Sequence, residues 1–319
     1  MIRRLSCLLS TVVLGLVILF GVTPSWASDD DEKRAAELAD KVLAHRRKIQ
    51  SGIFRFDSRL VFYRDGKPER KKNEQIDVWI DGSSRRADYH RTGDGEEIVG
   101  NYRNSVTITD EVLIFYNDQK FVDGSHLVST LNKPDGPRSK ILHQVFDPRL
   151  VGMNTDTLAN TVKRKLDSLI GKRADTKAIR LEAGRFEDLP CQVVHVFGNG
   201  ELEIVIWYAD DRDGNFVRIE CRAEQFRQVA EITHSKVEGY GWFPSNVTVT
   251  WYDRGSDDIA RREVLDIEVK QINQPVDAET FRIKGIDVPV GTHFIDYREA
   301  QPKMLVVKEK GADPVPGKP

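Results

Sequence analysis

Three aspartates in four positions, Asp210, Asp211 and Asp213, occupy the stretch WYADDRDGNFVRIEC at 207–221, and carboxylates so close together could hold a cation. A helix-flanked calcium loop needs oxygen ligands at its first, third and fifth positions and glycine at its sixth. With Gly214 as the sixth residue, Asp211 and Asp213 fall at the third and fifth, but Ala209 falls at the first and has no oxygen to offer. The flanks support a simpler reading. Ile204, Ile206 and Tyr208 lead in, Val217 and Ile219 lead out, and Asp213-Gly214-Asn215 tolerates positive φ, so a solvated hairpin turn is expected.

The other reactive residue types are scattered. The histidines at 45, 90, 126, 143, 195, 234 and 293 fall into no metal-binding spacing, although His195 and His234, both in strand-like segments, could approach one another in space. There is no G-x-S-x-G elbow, no phosphate-binding glycine loop and no dinucleotide fingerprint. With 31% charged residues, any one carboxylate pair carries no information. No catalytic residue, metal ligand or cofactor is assigned, and a binding role without catalysis is expected.

The chain opens MIRRLSCLLSTVVLGLVILFGVTPSWAS, with Arg3 and Arg4 before an apolar run and Ser25 and Ala27 at signal-peptidase spacing. Residues 1–27 therefore read as an export signal cleaved after Ala27. Its loss moves the net charge from −2 to about −4, which argues against nucleic acid. No second long apolar segment follows, so the exported chain is not expected to be an integral membrane protein. Cys191 and Cys221 remain, placed at opposite ends of three successive strand-like segments and too far apart to bridge; two buried thiols are expected.

These residues need a scaffold, and the apolar periodicity describes one. Ala35, Leu38, Ala39, Val42, Leu43 and Ile49 recur at helical steps after an aspartate-rich start. Period-two segments follow over 54–62 and 76–80, then over 85–91, 104–109 and 112–117, with Asp65-Gly66 and Asp81-Gly82 as turns. A second helix is expected over 154–170, on the stripe Leu158, Val162, Leu166 and Leu169. Strands then cover 177–182, 191–197, 201–209, 215–223, 228–237, 243–252 and 262–273. So much one-sided sheet must curl, stack or be covered, and two helices are too few to cover it flat. The expected fold is α+β and mostly antiparallel: a strongly curved, unclosed β-barrel with the N-terminal and mid-chain helices as lid.

The order of parts resembles the periplasmic lipoprotein-carrier superfamily of LolA, LolB and RseB. The residues that carry the resemblance are the N-terminal helix running into a strand, the hairpin WYADDRDGNFVRIE at 207–220, Gly241-Trp242-Phe243-Pro244 before VTVTWY, and NQPVDAETF at 273–281. The chain is longer than the carriers, and no residue matches the lid-holding arginine of LolA. The resemblance implies an apolar cavity that takes acyl chains, with a lipid or an acylated protein as partner. Its RseB-like side implies an alternative, an envelope sensor that binds a protein at a sheet edge or on the charged convex face without lipid.

Residues 28–302 are accordingly read as one curved-sheet domain and 303–319 as a tail, disordered over its last ten residues, with a short apolar patch at Met304–Val307 able to pair at a sheet edge. The inward ligand-binding set is Phe54, Phe56, Leu60, Phe62, Ile76, Val78, Ile80, Ile204, Ile206, Val217, Ile219, Val247, Val249, Trp251, Leu265, Ile267 and Val269. Trp79, Trp207 and Trp242 are further aromatic candidates for a cavity wall.

Overall fold

The computed structural model describes residues 29–92, 101–118, 128–136, 146–153, 178–198, 202–224 and 226–317. The export signal and the helix expected over 154–170 lie outside the described residues. Helix α1, Asp29–Arg47, has Asp29 to Glu32 in its first turn and His45, Arg46 and Arg47 in its last, charges that complement both ends of the helix dipole. It buries Ala35, Leu38, Ala39, Val42 and Leu43. Each of the larger side chains contributes roughly 1.5–3 kcal/mol by leaving water.

The strands are β1 Ser51–Arg64, β2 Lys67–Asp81, β3 Ser84–Thr92, β4 Asn101–Ile108, β5 Leu113–Asn117, β6 Ser129–Asn132, β7 Ala178–Phe186 and β8 Leu189–Phe197. They continue as β9 Glu203–Ala209, β10 Asn215–Ala223, β11 Phe226–Val237, β12 Gly241–Tyr252, β13 Ile259–Ile272, β14 His293–Asp296, β15 Lys303–Val306 and β16 Val315–Pro316. They form one 16-stranded sheet, ordered β16-β15-β14-β6-β5-β4-β3-β2-β1-β13-β12-β11-β10-β9-β8-β7. The sheet is open, with β16 and β7 at its edges, and every pairing is antiparallel except β14 with β6. Asp65 and Gly66, at φ 51° and 70°, make the tight β1–β2 turn. Gly52 precedes the β1–β13 register shift at Ile53 and Phe54, and a Cβ on it would stand 2.7 Å from the Gln271 carbonyl oxygen.

The sheet curves around its inner face. One apolar cluster joins α1 to β2, β1, β13, β12 and β11, and reaches Val106 and Leu113 on one side and Val194 and Tyr208 on the other. Residues 146–153 cross this face. Phe146 packs edge-on against Phe56 at 4.6 Å. Asp147 pairs with Arg85 of β3 at 3.2 Å, while a Cβ on Gly152 would lie 3.2 Å from Ile232 of β11. β3 and β11 are five inter-strand steps apart, about 24 Å in a flat sheet. So short a segment, tightened by a 3-10 turn at Pro148–Leu150, meets both because the sheet bends around it.

The outer face carries two smaller apolar clusters. Cys191, Val193, Val205, Ala209 and Val217 form one, over β8 to β10. The other lies where the chain after β13 returns across β2 to β6, burying Ile283, Ile286, Val288, Phe294, Leu305 and Val307 with Ile114, Tyr116 and Leu131. This second cluster also orders the tail: Leu305 and Val307 are drawn inward, β15 pairs with β14 and β16, and the Gly317 amide donates to the Met304 carbonyl at 3.0 Å. The disorder expected over the last ten residues is thus not seen as far as Gly317.

Neither Cys191 nor Cys221 is in a disulfide; Cys191 is buried, whereas Cys221 is half-buried near the end of β10. Cys191 lies opposite Ala209 and Cys221 opposite Ile204, so a long stretch of β9 separates them.

Candidate functional site

The inner face grades from apolar to charged along β1, and cross-strand register sets the grading. Phe54 faces Val78 and Val269, and Phe56 faces Ile76 and Ile267. One step on, Ser58 faces Glu74 and Leu265; next Leu60 faces Lys72 and Glu263, and Phe62 faces Arg70 and Arg261. The apolar floor thus ends in a rim of paired charges. Ser58 donates to the buried Glu263 at 2.7 Å, Arg91 pairs with Glu74, and the Arg261 guanidinium lies 3.9 Å from the centre of the Trp251 ring.

Most of the residues expected to line a ligand site are gathered on this floor. Phe54, Phe56, Ile76, Val78, Ile80, Ile219, Val247, Val249, Trp251 and Leu265 are buried in the main cluster, with Ile204, Ile206, Ile267 and Val269 half-buried against it. Leu60 and Phe62 lie beyond it at the rim, half-buried. Val217 is not on this face. The β9–β10 register shifts between Phe216 and Arg218, so Phe216 and Ile219 point inward while Val217 turns into the outer cluster. This bulge defeats the period-two reading. Trp79 and Trp207 also face outward, each following an inward residue: Trp79 stacks under Arg86, 4.6 Å from guanidinium to ring centre, and Trp207 joins the outer cluster.

The aspartates make the expected turn, with Asp213 and Gly214 at φ 58° and 73° after a 3-10 turn over Asp210–Arg212. The turn also anchors α1. Asp210 lies 3.7 Å from Lys41, and Asp213 accepts from the Trp242 amide at 2.9 Å and stands 3.8 Å from His45. His195 and His234 do not share a site. His195 lies on β8 between Glu203, at 3.0 Å, and Glu182, at 3.2 Å. His234 sits instead in the field of Arg46, Arg212 and His45.

Arg46 was missed by reading for motifs, although it had a signal: it continues the apolar stripe Leu38, Val42 at four-residue spacing. It is 1% exposed, packed against the Phe243 ring at 5.0 Å. Its Nε and Nη1 have no hydrogen-bond partner among the described residues. Burial lowers its pKa to about 10, so it stays charged at neutral pH. A helix C-terminus stabilises a cation by about 0.3–1 kcal/mol, at most ~2, and a desolvated aromatic face by about 2. Burying a lone ion costs several kcal/mol, so the two offsets together only partly cover it. Both ring nitrogens of His234 are buried and unpartnered as well. Burial first, then Arg46, Arg212 and His45, push its pKa down to about 3.

Two polar grooves lie elsewhere. One, of about 530 Å³, runs over β1 to β4 past Asp57, Arg59, Asn73, His90, Arg103 and Asp118. The other, of about 570 Å³, lies between the β4–β5 turn and the returning chain, lined by Asp110, Phe281, Arg282, Arg298 and Asp313. The first reaches the charged rim of the inner face through Ser58, Glu74 and Arg91, and neither is lined by residues of the apolar floor. Among the described residues no group of histidine, cysteine and carboxylate side chains could hold a metal ion, and no helix is long and apolar enough to cross a membrane.

No family model matches the sequence. No curated protein matches it either. Solved structures do resemble it. A DUF1329 family protein from Desulfovibrio piger superposes with a TM-score of 0.44 at 12% identity, covering 79% of this chain and 98% of its own. A LolA superfamily protein from Nitrosomonas europaea gives 0.40 at 12%, covering 77% and 96%. A domain named for outer membrane lipoprotein sorting, from Vibrio parahaemolyticus, gives 0.43 at 8%, covering 80% and 98%. The open, mostly antiparallel sheet with its N-terminal helix on the inner face agrees with the fold class expected from the sequence. Likenesses this distant bear no weight for function, which rests on the chain's own residues.

Proposed function

We propose that this is an exported, non-enzymatic binding protein of the bacterial envelope that holds an acyl chain or similar apolar ligand on the inner face of its sheet. The observation that carries the reading is the excess of inward apolar surface over what covers it. Ile204 and Ile206, with Ile179, Leu181 and Val196 beside them, and Ile267 and Val269 are only half-buried, although each faces the core. Among the described residues the centre is occupied by the packed rings of Phe54, Phe56, Phe146 and Phe243, so a ligand there would have to displace α1 or residues 146–153.

Native mass spectrometry of the protein extracted from its own envelope, together with titration by a fluorescent fatty acid, tests this. A stoichiometric acyl ligand is expected, and Ile206→Asp should weaken fatty-acid binding at least tenfold while leaving the fold intact. A stable protein partner recovered by crosslinking, with no lipid bound and no fatty-acid uptake, would replace this reading with the sensor alternative.

A further inference from the structure

The end of α1 brings together groups that an apolar ligand alone would not need. Arg46 is buried and His234 half-buried, and Arg46 Nε and Nη1 and both His234 ring nitrogens are buried without a hydrogen-bond partner among the described residues. The polar groups around them are committed elsewhere. His45 Nε2 bonds the Trp242 carbonyl at 3.2 Å, the Tyr240 hydroxyl donates to the His45 carbonyl at 3.1 Å, and Asp213 serves the Trp242 amide. The Arg212 guanidinium stacks 3.9 Å from the centre of the Trp242 ring. Arg46 itself sits on Phe243, whose ring lies 5.7 Å from that of Phe54 on the apolar floor. A buried cation with unused donors, at the end of an apolar surface, matches the two ends of an anionic amphiphile.

We propose that Arg46 receives the anionic group, a carboxylate or a phosphate, of an acyl ligand whose chain lies along the inner face. This rests on the acyl-binding reading above and adds to it a headgroup class and an orientation. The guanidinium would donate from Nη1 to an oxygen of the anion, a charge-assisted hydrogen bond stronger than a neutral one.

The test uses the full exported chain and compares oleate with oleyl alcohol, and a monoacylglycerol phosphate with the monoacylglycerol, in competition with a fluorescent acyl probe. The wild type should bind each anionic ligand at least tenfold more tightly than its neutral counterpart. Arg46→Met should erase that preference and keep the neutral affinities; Arg46→Lys should restore part of it. Arg46→Met should also unfold at a higher temperature without ligand, whereas a residue needed for the fold would give a lower one. Equal binding of acid and alcohol by the wild type overturns the headgroup site and leaves the acyl-binding reading standing. Thermal protection by inorganic phosphate, without preference between oleate and oleyl alcohol, assigns the site to a free anion and overturns the headgroup assignment. If no amphiphile binds, both readings fall.

Discussion

Two arginines buried against aromatic rings, one on each face of the sheet, are held in opposite ways. On the outer face Arg86 is 4% exposed and lies over Trp79, much as Arg46 lies over Phe243 on the inner face. Arg86, however, is fully engaged: Nε donates to Asp88 at 2.8 Å, and Nη1 donates to the carbonyls of Thr280 and Gly285 at 3.0 and 2.6 Å. Asp88 in turn accepts from Arg103 and Ser105. Glu220, also outward and 1% exposed, is held by Arg218, Arg222 and Arg227. On the inner face Arg46 and His234 have no such partners. Burial alone therefore does not mark a site. A buried charge whose hydrogen bonds are complete clamps the fold, here the returning chain over β2 to β4, whereas one whose donors are unused is available to something else.

Removing a partner from the outer network should have the largest effect. Asp88→Asn leaves Arg86 and Arg103 without their shared carboxylate and should cost about 3–5 kcal/mol in urea unfolding; a loss under 1 kcal/mol would erase the contrast between the faces. Next in size is acid titration of Glu220. Burial pushes its pKa up, but hydrogen bonds from Arg222 and Arg227 more than offset this and hold it at about 2, below its ordinary 4.5. Its stabilisation, on the order of 3 kcal/mol, is complete above pH 4.5 and lost as pH falls through about 2. Glu220→Gln should flatten the stability profile over that range.

His234 sharpens the inner side. Its folded pKa of about 3 lies below the ordinary 6.5, so between those values the unfolded chain binds the extra proton. Stability is undiminished above pH 6.5 and falls on acidification, by roughly 2 kcal/mol at pH 5. His234→Gln should remove that slope in chemical denaturation without altering the one due to Glu220. The smallest effect has the opposite sign: Arg46→Met, which relieves an unpartnered charge, should raise stability by about 1–2 kcal/mol in the same assay.

Much of this architecture was legible from local pattern. Phe54 and Phe56, Val247 and Val249, and Ile76, Val78 and Ile80 alternate strictly, and all of them face inward. Alternation failed where the backbone slips, as at Val217, because a bulge adds one residue and reverses every side chain beyond it. It also could not say how far the floor reaches. Leu60 and Phe62 keep the inward phase, but register sets them among Lys72, Glu263, Arg70 and Arg261. The candidate site was legible as a face and not as a place: Arg46 shares a stripe with Leu38 and Val42, yet its charge reads as a solvated helix end until β12 is packed over it.

By itself the sequence did not determine the short strands β6, β14 and β16, but it did determine the long strands, several of their turns, the N-terminal helix and which side of most strands is oily. Those follow from interactions between residues a few positions apart, where steric preference and side-chain period act directly. Only the tertiary structure decided which buried charges found partners. Asp88 meets Arg103, Arg86 meets the carbonyls of Thr280 and Gly285, and Arg46 meets the Phe243 ring through contacts between distant parts of the chain, set by strand register and by where α1 ends against the sheet.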